Sequence, residues 1–378
     1  MKRILVLFVC MTFVLLCGCY DANDAPETAY LISLGIDKGE NGYLYTFQLA
    51  SPSDKKEGED GKTVKNVVIG AKDFYTARNM FSNYLSKRLN MSHLKMIVCS
   101  KEIAESSFLE HSQLFARERE VRPGTYLATA SGSAESFLKA VNPMLEGNTA
   151  KYYELINTDK SMFYAPRKTL GEFLSDVETL DKSGVLPVAR VSGFEKSDEI
   201  RNEQSEKGEP VKAGIFRVSD SKTELFGMGI FKKGRLIGIS DGNDALMYNI
   251  LSGFSKNFDM SIVSPYDENK TLSFKVSLND KPKISVSAEG KIKINVVVSG
   301  ELEYIGKPDE NDIKKIASTS IEKALRDFLE KTSRVYGTDV LKIGNQIKKN
   351  YLTQKDFENI RWEEKYPKAE FFVSVLFE

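Results

Sequence analysis

The residues able to do covalent or metal chemistry are few: four cysteines and two histidines in 378 residues. Three of the cysteines, Cys10, Cys17 and Cys19, crowd into the first nineteen positions, and only Cys99 lies beyond them. The stretch Leu16-Cys17-Gly18-Cys19 follows Lys2, Arg3 and an apolar run from Ile4 to Leu16. A short basic start and an apolar core of that length make a signal peptide; the run is too short to span a bilayer as a helix. Leu, a small residue and Gly ahead of a cysteine form a lipobox, which selects Cys19 over Cys17, whose own preceding residue is the bulky Leu16. The expected product is an N-palmitoyl, S-diacylglycerol cysteine at position 19, with residues 1–18 removed. Two or more acyl chains hold a protein stably at a bilayer. An ordinary secretory signal and an uncleaved anchor are the competing readings.

No other cluster points to catalysis. Maturation leaves Cys99 alone, so no internal disulfide forms. Its setting in LKMIVCS reads as a strand core. His93 and His111 lack metal-ligand spacing; His93 is expected in a structural hydrogen bond and His111 on a solvated helix face. Gly227-x-Gly229 lacks the third glycine of a dinucleotide loop and reads as close strand packing. Trp362 reads as a packing anchor. The segment from Arg117 to Pro123 alternates charge, as a salt-bridged helix end or as a contact patch for another protein. Neither a phosphate-binding loop nor a nucleophile elbow occurs, and no carboxylate pair is singled out. The expectation is therefore no catalytic residue, no cofactor, no metal and no enzymatic activity.

The elements that carry these residues read as follows. The chain has 53 basic and 53 acidic residues, and loss of Lys2 and Arg3 tips the mature form slightly acidic. Nothing in that balance favours nucleic acid. Two strands flank a turn near Asp37–Gly42; the second alternates Tyr43, Tyr45, Phe47 and Leu49 with Leu44, Thr46, Gln48 and Ala50. Residues 53–66 form a charged loop. A helix carries Phe74, Ala77, Phe81, Tyr84, Leu85 and Leu89 on one face. A strand at Cys99, a helix from Glu102 to Arg117, and a strand leading into a helix near Ala134 follow. Thr169 and Glu172 have capping-box spacing. Residues 195–213 are charged and poor in apolar side chains, so they are expected to be a linker or surface loop. Beyond them come paired strands, a short helix, four strand-like runs from Ser255 to Tyr304, a helix from Asp309 to Ser333, a helix near Asp339–Lys349, and a terminal strand. The expected domains are 19–194, as one region or two subdomains, and 214–378. The expected fold class is α+β, with mixed, largely antiparallel sheets flanked by helices.

In this order the segments resemble the Ger(x)C family, the lipoprotein C subunit of spore-germination nutrient receptors. CGCYD is similar to the family's Gly-Cys-Trp-Asp start, with Tyr20 in place of Trp. LGIDKGENGYLYTFQLASP resembles its first hairpin, and FYTARNMFSNYLSKRLNMSHLKMIVCSKEIAE its helix and next strand. The Arg117–Pro123 segment with the strand and helix after it, TLGEFLSDVETLDKSGVLPVARV, AGIFRVSDSKTELFGMGIFKKGRLIGIS and WEEKYPKAEFFVSV continue the likeness to the C-terminus.

The resemblance implies a three-domain α+β ectodomain on the outer face of the spore's inner membrane. It implies A-type and B-type integral membrane subunits as partners, a role in triggering spore germination by nutrients, and no enzymatic activity. Only the lipobox cysteine carries over by position, onto Cys19. The competing function is a solute-binding lipoprotein of a membrane transporter, against which the strand-rich C-terminal half argues; a lipid-anchored hydrolase is a third.

Overall fold

A computed structural model describes residues 28–50, 64–143, 148–158, 162–178, 182–191, 205–213, 222–287, 292–305, 313–348, 351, 355 and 359–377. Residues 1–18, Cys19, Asp309 and most of the expected 195–213 connection lie outside them.

The chain opens with β1 (Thr28–Gly39), β2 (Gly42–Ala50) and β3 (Val64–Ala71), an antiparallel meander. Helix α1 (Phe74–Leu85) and the short β4 (Arg88–Asn90) lead to β5 (Met96–Cys99). Helices α2 (Lys101–Ser106) and α3 (Phe108–Arg117) precede β6 (Tyr126–Ala130). Then come α4 (Ala134–Ala140), α5 (Thr149–Thr158), α6 (Leu170–Glu178) and β7 (Ser183–Val191). The hairpin β8 (Thr223–Lys232) and β9 (Arg235–Ser240) completes a nine-stranded sheet in the order β3-β2-β1-β5-β6-β7-β8-β9, with β4 beside β1. Its centre, β1-β5-β6-β7, is parallel, and both flanks are antiparallel. The β8–β9 hairpin therefore joins the sheet of the N-terminal half, although it lies C-terminal to the charged 195–213 stretch.

Helices cover both faces of this sheet. Leu34, Ile36, Ile97, Cys99 and Leu127 pack with Phe74, Phe81, Phe108, Phe115 and Phe173 of α1, α3 and α6. Met96, Val98, Ala128 and Ala130 pack on the opposite face with Phe137, Leu138 and Tyr153 of α4 and α5. Double coverage removes the expected contrast between the two sides of β2. Thr46 and Gln48 are as buried as Phe47. Gln48 is satisfied inside: Ser33 Oγ and Tyr153 Oη donate to its Oε1 at 2.8 and 2.9 Å, and its Nε2 donates to the Leu138 carbonyl at 2.8 Å. A buried polar side chain is tolerated only when bonded in this way.

The second half begins with α7 (Gly242–Ser252), capped by Asp241. A five-stranded sheet follows: β10 (Asn257–Val263), β11 (Thr271–Leu278), β12 (Lys283–Ser287), β13 (Lys293–Tyr304) and, after α8 (Ile313–Glu330), the terminal β14 (Glu370–Phe377). Its path is β10-β11-β13-β12, and β14 lies parallel to β13. Only one face is covered. Phe274, Val276, Ile294, Val296, Val373 and Val375 turn inward to Ala317, Ile321, Leu325 and Phe328 of α8. Strict alternation along β13 follows from that one-sided burial.

Several boundaries depart from the sequence reading. β3 begins inside the stretch expected to be loop, and β4 and α5 were not expected. α1 stops at Leu85 because Ser86 adopts a left-handed conformation, so Leu89 is a strand residue and Tyr84 overhangs the core, 78% exposed. Ser107 breaks the expected Glu102–Arg117 helix in two. After α8 the helix widens into a π-turn at Lys331–Val335. The expected 339–349 helix shrinks to Asn345–Lys348, because Lys342 is left-handed and Asp339 turns its carboxylate onto the Gly344 amide instead of continuing a helical ladder.

Candidate functional site

Among the described residues, the seam between the two sheets gathers a large set of charged and hydroxyl side chains, and the elements on its two sides explain why. α6 is held at its start by the expected capping box: Thr169 N donates to Glu172 Oε2 at 2.9 Å, and Glu172 N to Thr169 Oγ1 at 3.4 Å. That fixes Lys168 just outside the helix and Asp176 on its last turns, where Lys168 Nζ meets Asp176 Oδ2 at 2.8 Å. Burial opposes the Lys168 charge, but the paired Asp176 carboxylate outweighs that opposition and raises the ammonium's pKa. Burial raises the Tyr248 hydroxyl's pKa, so it stays protonated. Across the seam, Lys342 Nζ donates to the Asp176 carbonyl at 2.8 Å and to Ser183 Oγ at 2.9 Å.

Lys168, Asp176, Tyr248 and Lys342 line a cleft of about 540 Å³ together with the exposed Lys281 and Lys283. Its chemistry is that of a binding surface, with ammonium and hydroxyl groups and one paired carboxylate. Further polar bonds close the seam on either side. Ser183 Oγ donates to the Asp339 carbonyl at 2.7 Å, Lys232 Nζ to the Gly337 carbonyl at 2.7 Å, and Asn249 Nδ2 to the carbonyls of Phe163 and Ala165 at 2.9 and 3.0 Å. Side-chain donors on backbone carbonyls fix relative position without needing sequence-matched partners.

Two smaller clefts lie elsewhere on the molecule. One, of about 250 Å³, lies between Asp241, Asp244, Lys331 and the 205–213 segment. Asp244 accepts from both Ser240 and Lys331, and burial together with Asp244 raises the pKa of Asp241. The 205–213 segment runs along β10 here, with Val211 N donating to the Ser261 carbonyl at 2.9 Å and Lys323 meeting Glu209 at 2.7 Å. The other, of about 340 Å³, lies at the carboxyl ends of the parallel strands. Nearby, Asp37 accepts from the Ala134 and Glu135 amides at 2.8 Å each; burial still raises its pKa despite those bonds.

The residues singled out in the sequence do not converge. Cys99 is fully buried, as expected of a packing residue, and burial pushes its thiol up. His93 stacks edge-on against Tyr30 with centroids 5.1 Å apart, at an exposed position. The solvated position expected for His111 is incorrect. It is 6% exposed, with Nδ1 3.0 Å from the Ser107 carbonyl and Nε2 3.3 Å from Tyr45 Oη, because the kink at Ser107 rolls α3 over β2. Trp362 is a buried anchor whose Nε1 donates to Asp339 Oδ2 at 3.0 Å. Gly229 packs tightly, since an added Cβ would lie 2.9 Å from Thr129, and Gly227 has φ +90°. Among the described residues, no cluster of three or more His, Cys, Asp or Glu side chains is placed to hold a metal. Nor is any helix among them long and apolar enough to cross a membrane. The seam itself was not anticipated: Lys168, Lys342 and Asp339 carry no motif, and only the capping box beside them was legible.

Two family models match in order. Residues 21–191 match the spore germination protein N-terminal domain, and residues 226–378 match the spore germination B3/GerAC-like C-terminal domain. The chain belongs to the Ger(x)C family. Spore germination protein B3 of Bacillus subtilis (strain 168) is 23% identical over 98% of this chain and 96% of its own. Spore germination protein KC of the same organism is 20% identical over 97% of this chain and 92% of its own. The crystal structure of the GerBC protein has the same fold, with a TM-score of 0.54 at 16% identity over 91% of this chain and 96% of that one. This Ger(x)C chain thus shares its α+β architecture with a solved structure across nearly its whole length.

Proposed function

We propose that this chain is a non-catalytic, lipid-anchored subunit of a spore nutrient receptor, acting with A-type and B-type integral membrane subunits to trigger germination. The carrying observation is the ordered match of both family domains, with relatives named as spore germination proteins aligned almost end to end. The lipobox at Leu16–Cys19 supports attachment through Cys19 to the outer face of the spore's inner membrane. The parts on either side of 195–213 act as one body, because the β8–β9 hairpin of 214–378 completes the sheet of 19–194. A tether raises the effective concentration of the folded body for integral partners without adding any contact. The polar seam supports a coupling role, since a body braced across two sheets transmits displacement from one to the other.

Spores carrying Cys19→Ala test this reading. The expected result is loss of the chain from the inner-membrane fraction, with a slowed germination response to nutrient. Full membrane retention of that variant contradicts the anchoring role. A normal germination response in spores lacking the chain contradicts the receptor role.

A further inference from the structure

We propose that the amino end of the first sheet, where the chain enters at Thr28, is a membrane-apposed face that contacts anionic lipid headgroups. The inference rests on lipid attachment at Cys19 and adds the orientation that attachment alone leaves open.

Strand register defines this end. Thr28 lies opposite Arg88, and Ser33, Met96 and Tyr126 are level with one another. The feet of β1, β4 and β6 therefore point the same way, and the turn from Glu118 to Thr125 lies beneath β6. Within the turn, Thr125 N donates to the Arg122 carbonyl at 2.9 Å. From Cys19 to Thr28 is nine peptide steps, at most about 32 Å fully extended. β1 then carries its 12 residues up to Gly39, about 36 Å away. A lipid on Cys19 thus holds Thr28 within about 32 Å of the bilayer, so this end can rest on the surface while the opposite end stands clear.

The side chains at this end suit such a surface. α1 leaves Tyr84 78% and Met80 45% exposed, one helical turn apart, although the apolar periodicity enlists Tyr84 for the core. Exposed Lys87 and Arg88 follow directly. The alternating Arg117–Pro123 segment is sorted by the fold. Glu118 turns to α1, accepting from Tyr75 Oη at 2.7 Å and pairing with Arg78 at 3.3 Å. Glu120 accepts the Met91 amide at 2.7 Å. The acids are drawn inward, and Arg119 and Arg122 stay exposed, with no side-chain hydrogen bond or ion pair to a described residue. Tyr84 with Lys87 and Arg88 after it, and Arg119 and Arg122 exposed below β6, supply the amphipathic ring and the cations that settle at headgroup level. The mature chain is expected to be slightly acidic overall, so this patch orients the body while the acyl chains hold it.

The test uses the full lipid-modified chain in vesicles of phosphatidylcholine with phosphatidylglycerol, some carrying brominated acyl chains. Tyr84→Trp places an indole at this end. Tyr266→Trp, at an exposed site in the second sheet's β10–β11 connection, is the control. The native Trp362 is buried and serves as the background. The expected result is strong bromine quenching at position 84 and none at position 266, lost in pure phosphatidylcholine and in high salt. Arg119→Glu with Arg122→Glu is expected to lower the quenched population at position 84, by about fivefold per charge removed, with the bound fraction and the melting temperature unchanged. Vesicle-bound protein with no quenching at position 84, or equal quenching at both positions, overturns the proposed face and leaves it to a protein partner. Protein that stays off the vesicles overturns the anchoring reading, and this proposal with it.

Discussion

The two sheets bury their residues differently. The nine-stranded sheet is covered on both faces, so its strands show nearly continuous burial, as in β1 and β7, and polar residues such as Gln48 are enclosed in a bonded network. The five-stranded sheet packs α8 on one face and leaves the other to solvent, where Lys275, Val297, Phe372 and Leu376 stand exposed. Coverage therefore decides what a side chain is worth. The same polar atom is a structural requirement in the first sheet and a solvated surface group in the second.

The largest effects come from the two cores. Phe47 sits between Phe74 and Phe81, and Phe274 is fully buried beneath α8. Phe47→Ala and Phe274→Ala are each expected to cost about 3–5 kcal/mol, measured by denaturant unfolding. Calorimetry sharpens the comparison. With the polar seam intact, each variant lowers a single transition; two separated transitions would show that the seam does not couple the halves.

Gln48→Leu is expected to cost about 1–3 kcal/mol, because it strands the Ser33 and Tyr153 hydroxyls and the Leu138 carbonyl in the core. Lys275→Leu, on the open face of the second sheet, is expected to change stability by less than about 0.5 kcal/mol. Equal costs for this pair would erase the distinction between the sheets. Between these limits, Thr169→Ala removes the α6 capping box and is expected to cost about 1 kcal/mol.

His111 supplies a smaller, pH-dependent difference confined to the first sheet. Burial lowers its pKa below the ordinary 6.5 against the bond to Ser107 and the nearby Glu110, and the rings of Tyr43 and Tyr45 face it. The unfolded chain therefore takes up the proton first. Stability is complete above about pH 6.5 and is lost as pH falls toward the lowered native value. Melting temperatures at about pH 7.5 and about pH 5.5 are expected to differ for the native chain by more than for His111→Phe.

How much of this was legible follows from the same contrast. The second half read well because one-sided burial writes a period of two into β10, β11, β13 and β14, and α8 shows its apolar stripe. The capping box and the buried settings of Cys99 and Trp362 were likewise local signals. The first sheet hid more. Burial of both faces of β2 blurred its alternation, β3 began inside a charged stretch, and Tyr84 followed helical periodicity past the point where Ser86 ends α1. His111 was misplaced because the kink at Ser107 depends on tertiary packing. The seam was illegible because most of its bonds run from lysine, serine and asparagine side chains to distant backbone carbonyls, which leave no pattern in sequence.

The most direct test is crosslinking mass spectrometry on native spore inner membranes. The account predicts a mature chain beginning at N-palmitoyl, S-diacylglycerol Cys19 and crosslinked to multi-pass A-type and B-type receptor subunits. A chain recovered in the soluble fraction, with an unmodified Cys19 thiol and no crosslink to an integral membrane protein, would contradict it.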